Sequence, residues 1–328
     1  MSKGYGRRQH SRQTKLAEFE NTIHRQEYER ILGCTEKIRP FAGIIDEFSI
    51  EENNTEKIAE STYAEVFRVA DKTGTSVLKV VRLEGASTDR SFTPMGLSTR
   101  DIVHEIQVSS AVSGRKGFIQ TKKIGLYRGE YPSLLLRKWE EFEKKENKHP
   151  EHYAHPDQVF VVFVFEDGGV ELERFSFQSE AELQEVFESV LSTLAGGEEI
   201  CFEHRDMHVS NILVRREHGR LLCSLIDFSL SALFQGKEFV SSDLGGMDFL
   251  FSGTEEHHRV YREMRASTGG EWSRHVPATN VLWLEYLHRW LSQRHIQSES
   301  VRDFFRAAGE SLGCSQSAKA VHCRIAGT

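Results

Sequence analysis

Long hydrophobic runs, paired cysteines and an excess of positive charge are all missing from this sequence. The longest apolar run, at 159–165, has seven residues, whereas a membrane-spanning helix needs roughly 20. The five cysteines are scattered and include no C-x-x-C pair, which favours a reducing compartment, the cytosol or the nucleus. A net charge of −7 excludes general coating of nucleic acid but is compatible with a basic substrate.

What is present is the composition of an ordinary globular protein. The 328 residues, 38% hydrophobic and 28% charged, are enough for one large two-lobed domain or for two smaller ones. The first residues are basic, with no acid until Glu18, and we predict a disordered tail over 1–14. Apolar residues at roughly helical spacing predict a helix over 15–33 that ends at Gly33.

Alternating apolar residues in the first half of the chain predict β-strands. From 57 to 83 the pattern has a period of two, with a turn at 71–74, which predicts a hairpin. Lys79 interrupts the apolar run of the second strand, and it is either an edge charge or a buried charge with a partner. Residues 98–113 then predict a helix that carries Glu105.

Two further predicted strands, around 118–126 and 159–165, lead to Gly168 and Gly169, which predict a hinge. We therefore predict an α+β fold with a β-rich lobe, a helical lobe and a cleft between them. The predicted helices of the second lobe are 179–195, 254–266, 280–292 and 298–309. The predicted parts are an N-terminal helix with the β-rich lobe (15–165), the hinge (166–169), the helical lobe (170–312) and a C-terminal tail (313–328).

The stretch F-E-H-R-D-M-H-V-S-N at 202–211 is the strongest chemical signal. It places Asp206 five positions before Asn211, and a later apolar run ends in Asp227. In such a loop the carboxylate can accept the proton of an attacking hydroxyl, while the amide and the second Asp hold a metal bound to nucleotide phosphates. A polar loop can match D-x-x-x-x-N by chance, but H-R-D before it and Asp-Phe-Ser after it favour the layout of protein kinases.

Lys79 and Glu105 precede this loop in the order that kinases require. In kinases a strand Lys paired with a helix Glu holds the α- and β-phosphates of the nucleotide. A solvated helix carboxylate is the alternative interpretation of Glu105.

The stretch that would cover the nucleotide contains no glycine. Residues 58–66, I-A-E-S-T-Y-A-E-V, place small residues where kinases have G-x-G-x-x-G, so the backbone can still approach a phosphate. The missing glycines leave open a pseudokinase that binds partners without catalysis. A-P-E is also missing after Asp227, so the activation-segment region at 234–254 is not of the usual kinase design.

Histidines in and after this loop are candidates for other roles. Cys201, His204 and His208 have the short spacing of zinc ligands, but no second ligand pair lies nearby in sequence, and structural zinc is not predicted. We interpret His204 as a packing residue and His208 as one that orders the loop or contacts the substrate. The pair His257-His258 is interpreted as a solvated or substrate-facing surface rather than as ligands.

Several separated stretches resemble the haspin family of atypical Ser/Thr kinases. F-E-H-R-D-M-H-V-S-N-I-L at 202–213 is similar to the family's F-E-H-R-D-L-H-x-x-N, and D-F-S at 227–229 stands where haspins have D-Y-T. N-V-L-W-L-E-Y-L at 280–287 and the stretches 132–139 and 163–169 are also similar. The resemblance covers about residues 40–310 and implies a haspin-type kinase fold with a rearranged activation segment, for which a missing A-P-E is expected.

This resemblance implies ATP- and Mg²⁺-dependent phosphoryl transfer to a threonine near the N-terminus of histone H3. Asp206 would be the base and Lys79 the phosphate-binding cation with Glu105 as its partner. Asn211 and Asp227 would hold the metal. The other implied nucleotide-binding positions are Ala59, Glu60, Ser61, Ala64 and Val66 in the covering loop, Phe165 as gatekeeper, and Glu166 and Gly168 in the hinge.

The resemblance also implies partners and a location. The histone H3 tail and chromatin would be the partners of a monomeric protein in the nucleus, on mitotic chromosomes, with the cytoplasm as a further location. The family's acidic groove for the tail is matched only in part, because Phe249 stands where the family's D-L-F-T-G has its acid. The candidate substrate contacts are His208, Asp243 and Asp248.

Two other functions stay open from the sequence. One is a pseudokinase that acts as a chromatin-binding scaffold. The other is a small-molecule phosphotransferase of the aminoglycoside or choline kinase type, which shares the spacing from acid to Asn. Those loops usually read H-G-D or H-N-D, whereas this one reads H-R-D.

Overall fold

The computed structural model describes residues 31, 33, 35, 37–72, 74–84, 96–153 and 155–327. The tail predicted over 1–14, most of the helix predicted over 15–33 and most of the loop at 84–97 lie outside the described residues. The chain divides into two compact units. The N-terminal unit comprises Met1–Ile106 and Lys122–Phe165, and the C-terminal unit comprises Gln107–Thr121 and Glu166–Thr328. Within the described ranges, no helix is both long and apolar enough to cross a membrane.

A six-stranded sheet with the strand order β1-β5-β6-β4-β3-β2 forms the centre of the N-terminal unit. The hairpin predicted around 71–74 is confirmed, because β3 and β4 pair antiparallel as far as Asp71 and Gly74. The strand predicted to begin near Phe118 begins at Thr121, and Phe118 instead forms an isolated bridge with Leu225. The strands are β1 (Ile38–Pro40), β2 (Thr55–Ser61), β3 (Ala64–Asp71), β4 (Gly74–Arg82), β5 (Thr121–Arg128) and β6 (Val159–Glu166).

Strand β6 has apolar residues at every position from 159 to 165 because both faces of the sheet are covered. Successive side chains of a strand point to opposite faces. Val159, Val161 and Phe163 join one buried cluster with Ile102 and Ile106 of helix α2 (Thr99–Val112). The alternate residues of β6 join a second cluster with helices α1 (Ile44–Glu47) and α3 (Ser133–Glu141). Helix α3 was not predicted from the sequence; it begins directly after Pro132, which fits a proline at a helix start.

The C-terminal unit is mainly helical, and together the two units confirm the predicted α+β class. The predicted helices are present with small shifts of their ends. The region 234–254 contains a strand pair and a short helix. The helices are α4 (Ala181–Gly197), α5 (Asp248–Ser252), α6 (Glu256–Thr268), α7 (Ala278–Ser292), α8 (Glu299–Gly313) and α9 (Ala318–Ala326). The strands are β7 (Val170–Glu171), β8 (Ile212–Glu217), β9 (Arg220–Leu225), β10 (Ala232–Gln235) and β11 (Glu238–Ser241).

Helix α4 is the central helix of this unit. Its apolar residues recur at intervals of three and four, as on one face of an amphipathic helix, and α8 and α9 both pack against it. Burying a large apolar side chain stabilises a fold by roughly 1.5–3 kcal/mol. The residues of the buried face are Leu183, Val186, Phe187, Val190, Leu191 and Leu194.

Helix α9 lies in the segment that was predicted as a C-terminal tail, so that interpretation is corrected. Its first turn is held by a carboxylate from elsewhere in the chain. Glu198, which directly follows α4, accepts the backbone N–H groups of Ala318 (2.7 Å) and Lys319 (2.9 Å). A carboxylate at this end of a helix satisfies free N–H donors and interacts favourably with the helix dipole.

We expect Glu198→Ala to release helix α9. The two N–H groups lose their acceptor, and a lost cap of this kind costs about 1–2 kcal/mol. Hydrogen exchange at residues 318–326 should accelerate, with little change in α6. The neighbouring Glu199 is 69% exposed and lies 3.9 Å from Arg115, so Glu199→Ala is the matched control. Equal exchange rates in both variants would contradict the cap.

Candidate active site

The loop 202–211 lies between helix α4 and strand β8, and its start is fixed by backbone pairing. Glu203 and Ala232 exchange both backbone hydrogen bonds at 2.8 Å in an isolated antiparallel bridge. Cys201 and Arg205 have positive φ angles of 53° and 63°. A single 3-10 turn, Val209–Asn211, then leads directly into β8.

A fully buried ion pair anchors this loop. The side chains of Glu203 and Arg205 have no exposed surface, and the Arg205 Nε lies 3.0 Å from a Glu203 carboxylate oxygen. Arg205 also donates to the carbonyl oxygen of Trp272 at 2.9 Å. The hydrogen bond from His275 and the charge of Arg205 hold the pKa of Glu203 below its usual value, although burial acts in the opposite direction. The Glu203 carboxylate accepts further hydrogen bonds from the backbone N–H of Val276 and the hydroxyl of Thr279.

Asn280 of helix α7 holds the backbone on either side of Glu203. Its side-chain oxygen accepts the His204 N–H at 3.1 Å, and its nitrogen donates to the Phe202 carbonyl at 2.8 Å. Burial lowers the pKa of His204 to about 4, so its ring is neutral. The Nδ1 atom of that ring accepts the N–H of Asp206 at 3.3 Å. His204 therefore packs and hydrogen-bonds, as interpreted from the sequence.

Asp206 lies directly after this anchored segment and is itself held by two residues. The hydroxyl of Tyr261, on helix α6, donates to the Asp206 carboxylate. The side-chain nitrogen of Asn211 donates to the Asp206 main-chain oxygen at 2.8 Å. Burial raises the pKa of Asp206 well above its usual range and the charge of Asp227 raises it further, while the hydrogen bonds from Tyr261 and Asn211 lower it.

Asp227 is brought beside Asn211 by a backbone contact. The N–H of Ile226 donates to the Asn211 carbonyl at 3.1 Å. Asp227 has a left-handed backbone with a φ angle of 59°, and one of its carboxylate oxygens accepts the Ser229 N–H at 3.3 Å. Asn211 uses its amide nitrogen to bind Asp206, so its amide oxygen is the atom that it can offer to a cation. A carboxylate and an amide oxygen are ligands that Mg²⁺ prefers, and this pair fits the predicted metal.

A pocket of about 320 Å³ in the C-terminal unit contains Asp206. The Nε2 atom of His208 lies 3.6 Å from the Asp206 carboxylate. Of the candidate substrate residues, His208 lines the pocket but Asp243 and Asp248 do not. Asp243 instead accepts the Gly245 N–H within its own turn, at 2.9 Å. The pocket is lined by Asp206, His208, Ser229, Leu230, Phe249, Leu250, His257, His258 and Tyr261.

Two of the three residues in the stretch 249–251 are buried. Phe249 is 67% exposed, whereas Leu250 and Phe251 are 6% and 8% exposed. The short helix α5 causes this difference, because it turns the two later side chains inward while Phe249 stays at the surface beside the pocket.

In the N-terminal unit, Lys79 and Glu105 form the ion pair that their order in the sequence predicted. Lys79 Nζ lies 2.6 Å from a Glu105 carboxylate oxygen, and the Glu105 side chain is 3% exposed. The edge-charge interpretation of Lys79 and the solvated interpretation of Glu105 are therefore wrong. Their roles toward a nucleotide stay predictions.

The predicted covering loop is a tight hairpin between β2 and β3. Ala59 pairs with Val66, and Ser61 pairs with Ala64, so two residues form the turn. The Glu60 carboxylate forms an ion pair with Lys57 and accepts the backbone N–H groups of residues 146 and 147. Any contribution of Glu60 to nucleotide binding would therefore come from its main chain.

The predicted gatekeeper and hinge residues make close contacts within their own units. Phe165 stacks on Phe163 with ring centroids 5.8 Å apart. The Glu166 N–H donates to the Gln120 carbonyl at 3.0 Å. Gly168 packs so closely that an added Cβ atom would come within 2.6 Å of the Leu213 side chain, so a larger residue would disturb this segment.

Sequence reasoning missed the roles of Tyr261 and Asn280 and three partners of Glu203, which are His275, Val276 and Thr279. These residues lie 55 to 78 positions from the groups that they bind. Tyr261 is one of the buried residues on the apolar face of α6, so the local pattern indicates a core position and gives no sign of its hydroxyl partner.

We expect Glu203→Gln to destabilise the full chain by about 3–5 kcal/mol, because it leaves a buried guanidinium without its counter-charge. The folded-state pKa of Glu203 is lowered, so its contribution is present above the unfolded-state pKa and is lost as the pH falls through the folded-state pKa. The difference from the unmodified protein should therefore shrink in acid. Urea unfolding at several pH values measures this.

Glu217→Gln is the matched control, because Glu217 and Arg215 form a solvent-exposed pair at 3.4 Å. Such pairs contribute about 0–1 kcal/mol. A loss from Glu203→Gln no larger than that of the control would show that the buried pair does not hold the loop.

Comparisons with known proteins identify the family of this chain. A family model described as a haspin-like kinase domain matches residues 2–308. A serine/threonine-protein kinase haspin homolog of Arabidopsis thaliana is 32% identical over 290 residues, covering 78% of this chain and 47% of that protein. The Drosophila melanogaster haspin homolog is 30% identical over 271 residues, covering 71% of this chain and 47% of that protein.

The serine/threonine-protein kinase haspin of Mus musculus is 30% identical over 280 residues, covering 76% of this chain and 36% of that protein. The chain thus spans about half or less of the length of these relatives. The family model covers nearly the whole chain, including the anchored loop, Lys79 and Glu105. The chain therefore belongs to the haspin-like kinase domain family.

Proposed function

We propose that the protein is an ATP-dependent serine/threonine protein kinase of the haspin type. The observation that carries this proposal is the largely buried Asp206 carboxylate, 14% exposed, which accepts a hydrogen bond from Tyr261 in a pocket of the C-terminal unit. Family membership and the ion pair between Lys79 and Glu105 support it.

In the proposed reaction Asp206 orients the substrate hydroxyl and accepts its proton. The hydroxyl oxygen forms a bond to the γ-phosphorus of ATP as the bond to the β-phosphate oxygen breaks. The high pKa of Asp206 suits a group that must take up a proton, and the Tyr261 hydroxyl keeps the carboxylate in one orientation. Lys79, held by Glu105, would bind the α- and β-phosphates.

Asn211 and Asp227 would hold a divalent cation. Because they offer hard oxygen atoms, we propose that the cation is Mg²⁺. Such an ion neutralises charge on the phosphates when it is bound. The positions of the covering loop (Ala59, Glu60, Ser61, Ala64, Val66) and Phe165, Glu166 and Gly168 complete the proposed nucleotide contacts.

The proposed substrate is a threonine near the N-terminus of histone H3, with chromatin as the setting and the nucleus as the location. The haspin family suggests this substrate, and the net charge of −7 is compatible with a basic tail. His208, in the pocket beside Asp206, is the best-placed substrate contact. Asp243 and Asp248 stay candidates for contacts outside that pocket.

A pseudokinase scaffold is the second candidate, and the glycine-free hairpin between β2 and β3 favours it. A thermal shift with Mg-ATP separates the two candidates, because stabilisation by the nucleotide favours the enzyme. The absence of any shift at millimolar Mg-ATP would favour the scaffold.

We expect Asp206→Asn to reduce phosphate transfer to a histone H3 tail peptide by a factor of roughly 10²–10⁴, the usual contribution of a general base. The substitution keeps the shape of the side chain but removes its ability to accept the proton. Radiolabel transfer with site mapping by mass spectrometry measures this, and a tail with its threonines replaced by valine is the substrate control.

Asp303→Asn is the matched enzyme control, since it removes an exposed carboxylate of α8 that pairs with Arg306 at 2.6 Å and does not line the pocket. Equal transfer by the unmodified protein and the Asp206→Asn variant would exclude the proposed kinase. Transfer to other substrates alone would keep the kinase and exclude histone H3.

We expect Tyr261→Phe to lower kcat by roughly tenfold or more, because a hydrogen bond to a charged group contributes about 1.5–3 kcal/mol. The Tyr261 hydroxyl lowers the pKa of Asp206, so its removal raises that pKa and moves the acidic limb of the kcat profile to higher pH. Burial keeps the Tyr261 hydroxyl protonated throughout by raising its own pKa.

Tyr127→Phe is the control for this prediction. It also removes a hydroxyl that donates to a carboxylate, that of Glu47 at 3.0 Å, and it should leave the pH profile unchanged. A loss of kcat in Tyr261→Phe without a shift of the acidic limb would mean that Tyr261 does not act through Asp206.

A further inference from the structure

Glu255, His257 and His258 converge at the start of helix α6. One ligand atom from each lies within 4.8 Å of the other two. The Nε2 atom of His257 is 3.4 Å and the Nδ1 atom of His258 is 3.9 Å from the same Glu255 carboxylate oxygen. Ligand atoms around a tetrahedral Zn²⁺ lie about 3.3 Å apart, given Zn–N and Zn–O distances near 2.0–2.1 Å. A small inward movement of these side chains therefore creates a coordination site.

The environment of the His258 Nδ1 atom favours a bound cation at this group. This nitrogen is buried and has no hydrogen-bond partner within the described part of the chain. A buried polar atom without a partner is costly, and a bound cation would satisfy it. The separation of 3.9 Å from Glu255 is too long for a hydrogen bond.

Gly253 fixes the position of the His258 ring. A Cβ atom added at residue 253 would overlap that ring. The glycine is therefore needed for close packing rather than for an unusual backbone, since its φ angle is −72°. The packing limits the rotation of the ring and lowers the entropic cost of using it as a ligand.

The position at a helix start opposes a cation, because this end of the helix dipole is positive. The carboxylate of Glu255, the residue before α6, offsets that effect, whereas Glu256 is paired with Arg289 at 2.7 Å. Burial lowers the pKa of His257, which favours the neutral imidazole that metals bind. The two histidines also line the pocket of Asp206, so an open coordination position can face water or a bound substrate.

We propose that Glu255, His257 and His258 form a binding site for a transition-metal cation of the Zn²⁺ class. Two imidazoles and one carboxylate are ligands for Zn²⁺, Ni²⁺ or Cu²⁺ rather than for Mg²⁺. The site is distinct from Asn211 and Asp227, and its formation does not depend on the proposed kinase activity. From the sequence, His257-His258 was interpreted as a solvated or substrate-facing surface rather than as metal ligands. That interpretation did not take account of Glu255.

The test is calorimetric titration of Zn²⁺ into the full chain, without an affinity tag, after removal of metals with a chelator. Excess Mg²⁺ is kept present to occupy hard-oxygen sites. We expect the double substitution of His257 and His258 by Ala to weaken one Zn²⁺ site by roughly 100-fold or more, since it removes two of three ligands. Titration with Co²⁺ should give visible absorption bands that the double variant lacks.

Two further variants keep the test decisive if the double variant folds poorly. Glu255 is exposed, so Glu255→Gln removes a ligand without disturbing the core and should weaken the same site. Gly253→Ala leaves all three ligands but displaces the His258 ring, and it should also weaken Zn²⁺ binding.

His149→Gln is the matched control, because that imidazole lies 3.8 Å and 3.6 Å from the carboxylates of Glu140 and Glu151 and has no second histidine in the cluster. Unchanged affinity in this control, with weaker binding in the other variants, supports the site. Equal Zn²⁺ affinity in the unmodified protein, Glu255→Gln and Gly253→Ala would overturn it.

Discussion

The buried ion pair between Glu203 and Arg205 is the interaction on which the candidate active site depends. Neither side chain reaches solvent, and two charges without water are tolerated only when hydrogen bonds satisfy the remaining atoms. The segment 272–279 supplies those bonds, through the Trp272 carbonyl to Arg205 and through three donors to Glu203. The pair therefore joins the loop to a distant segment and fixes the backbone immediately before Asp206. The ion pair positions the loop rather than adding net stability, because an apolar pair of similar volume could fill the same space.

Because the backbone before Asp206 is held in place, opposing effects on the ionisation of its carboxylate can be maintained. Burial and the charge of Asp227 both disfavour the ionised carboxylate, and the hydrogen bond from Tyr261 favours it. In a mobile loop, water would weaken the effects of burial and of the Asp227 charge, and the hydrogen bond from Tyr261 would break. With Asn280 and Glu203 holding the chain on one side and Asn211 on the other, the carboxylate stays in a partly dehydrated position. That environment keeps the pKa of the carboxylate above its usual range, and the hydrogen bond from Tyr261 holds its orientation.

The residues that sequence reasoning identified belong to local motifs or periodic patterns. The residues that it missed depend on contacts with distant parts of the chain. Asp206, Asn211 and Asp227 form a local motif, and Lys79 and Glu105 were identified by their order relative to it. Helix α4 was visible through its period, whereas α9 depends on a carboxylate supplied by Glu198, about 120 positions away. Tyr261 looks like an ordinary core residue, because its partner is set by the packing of α6 and not by its neighbours. Sequence periodicity thus predicts which face of an element is buried, but it does not predict which polar atoms form hydrogen bonds with each other.

The residues that line the pocket of Asp206 limit how the proposed kinase could select a substrate. Residues 257 and 258 are histidines, and residue 249 is an exposed phenylalanine. Burial lowers the pKa of His208 and of His257, which favours the neutral form of both rings. Asp243 is tied into its own turn by Gly245. For the proposed kinase, the shape of the pocket and apolar contact with the exposed Phe249 would therefore dominate selection here, and selection for a basic peptide would have to come from carboxylates outside the pocket lining.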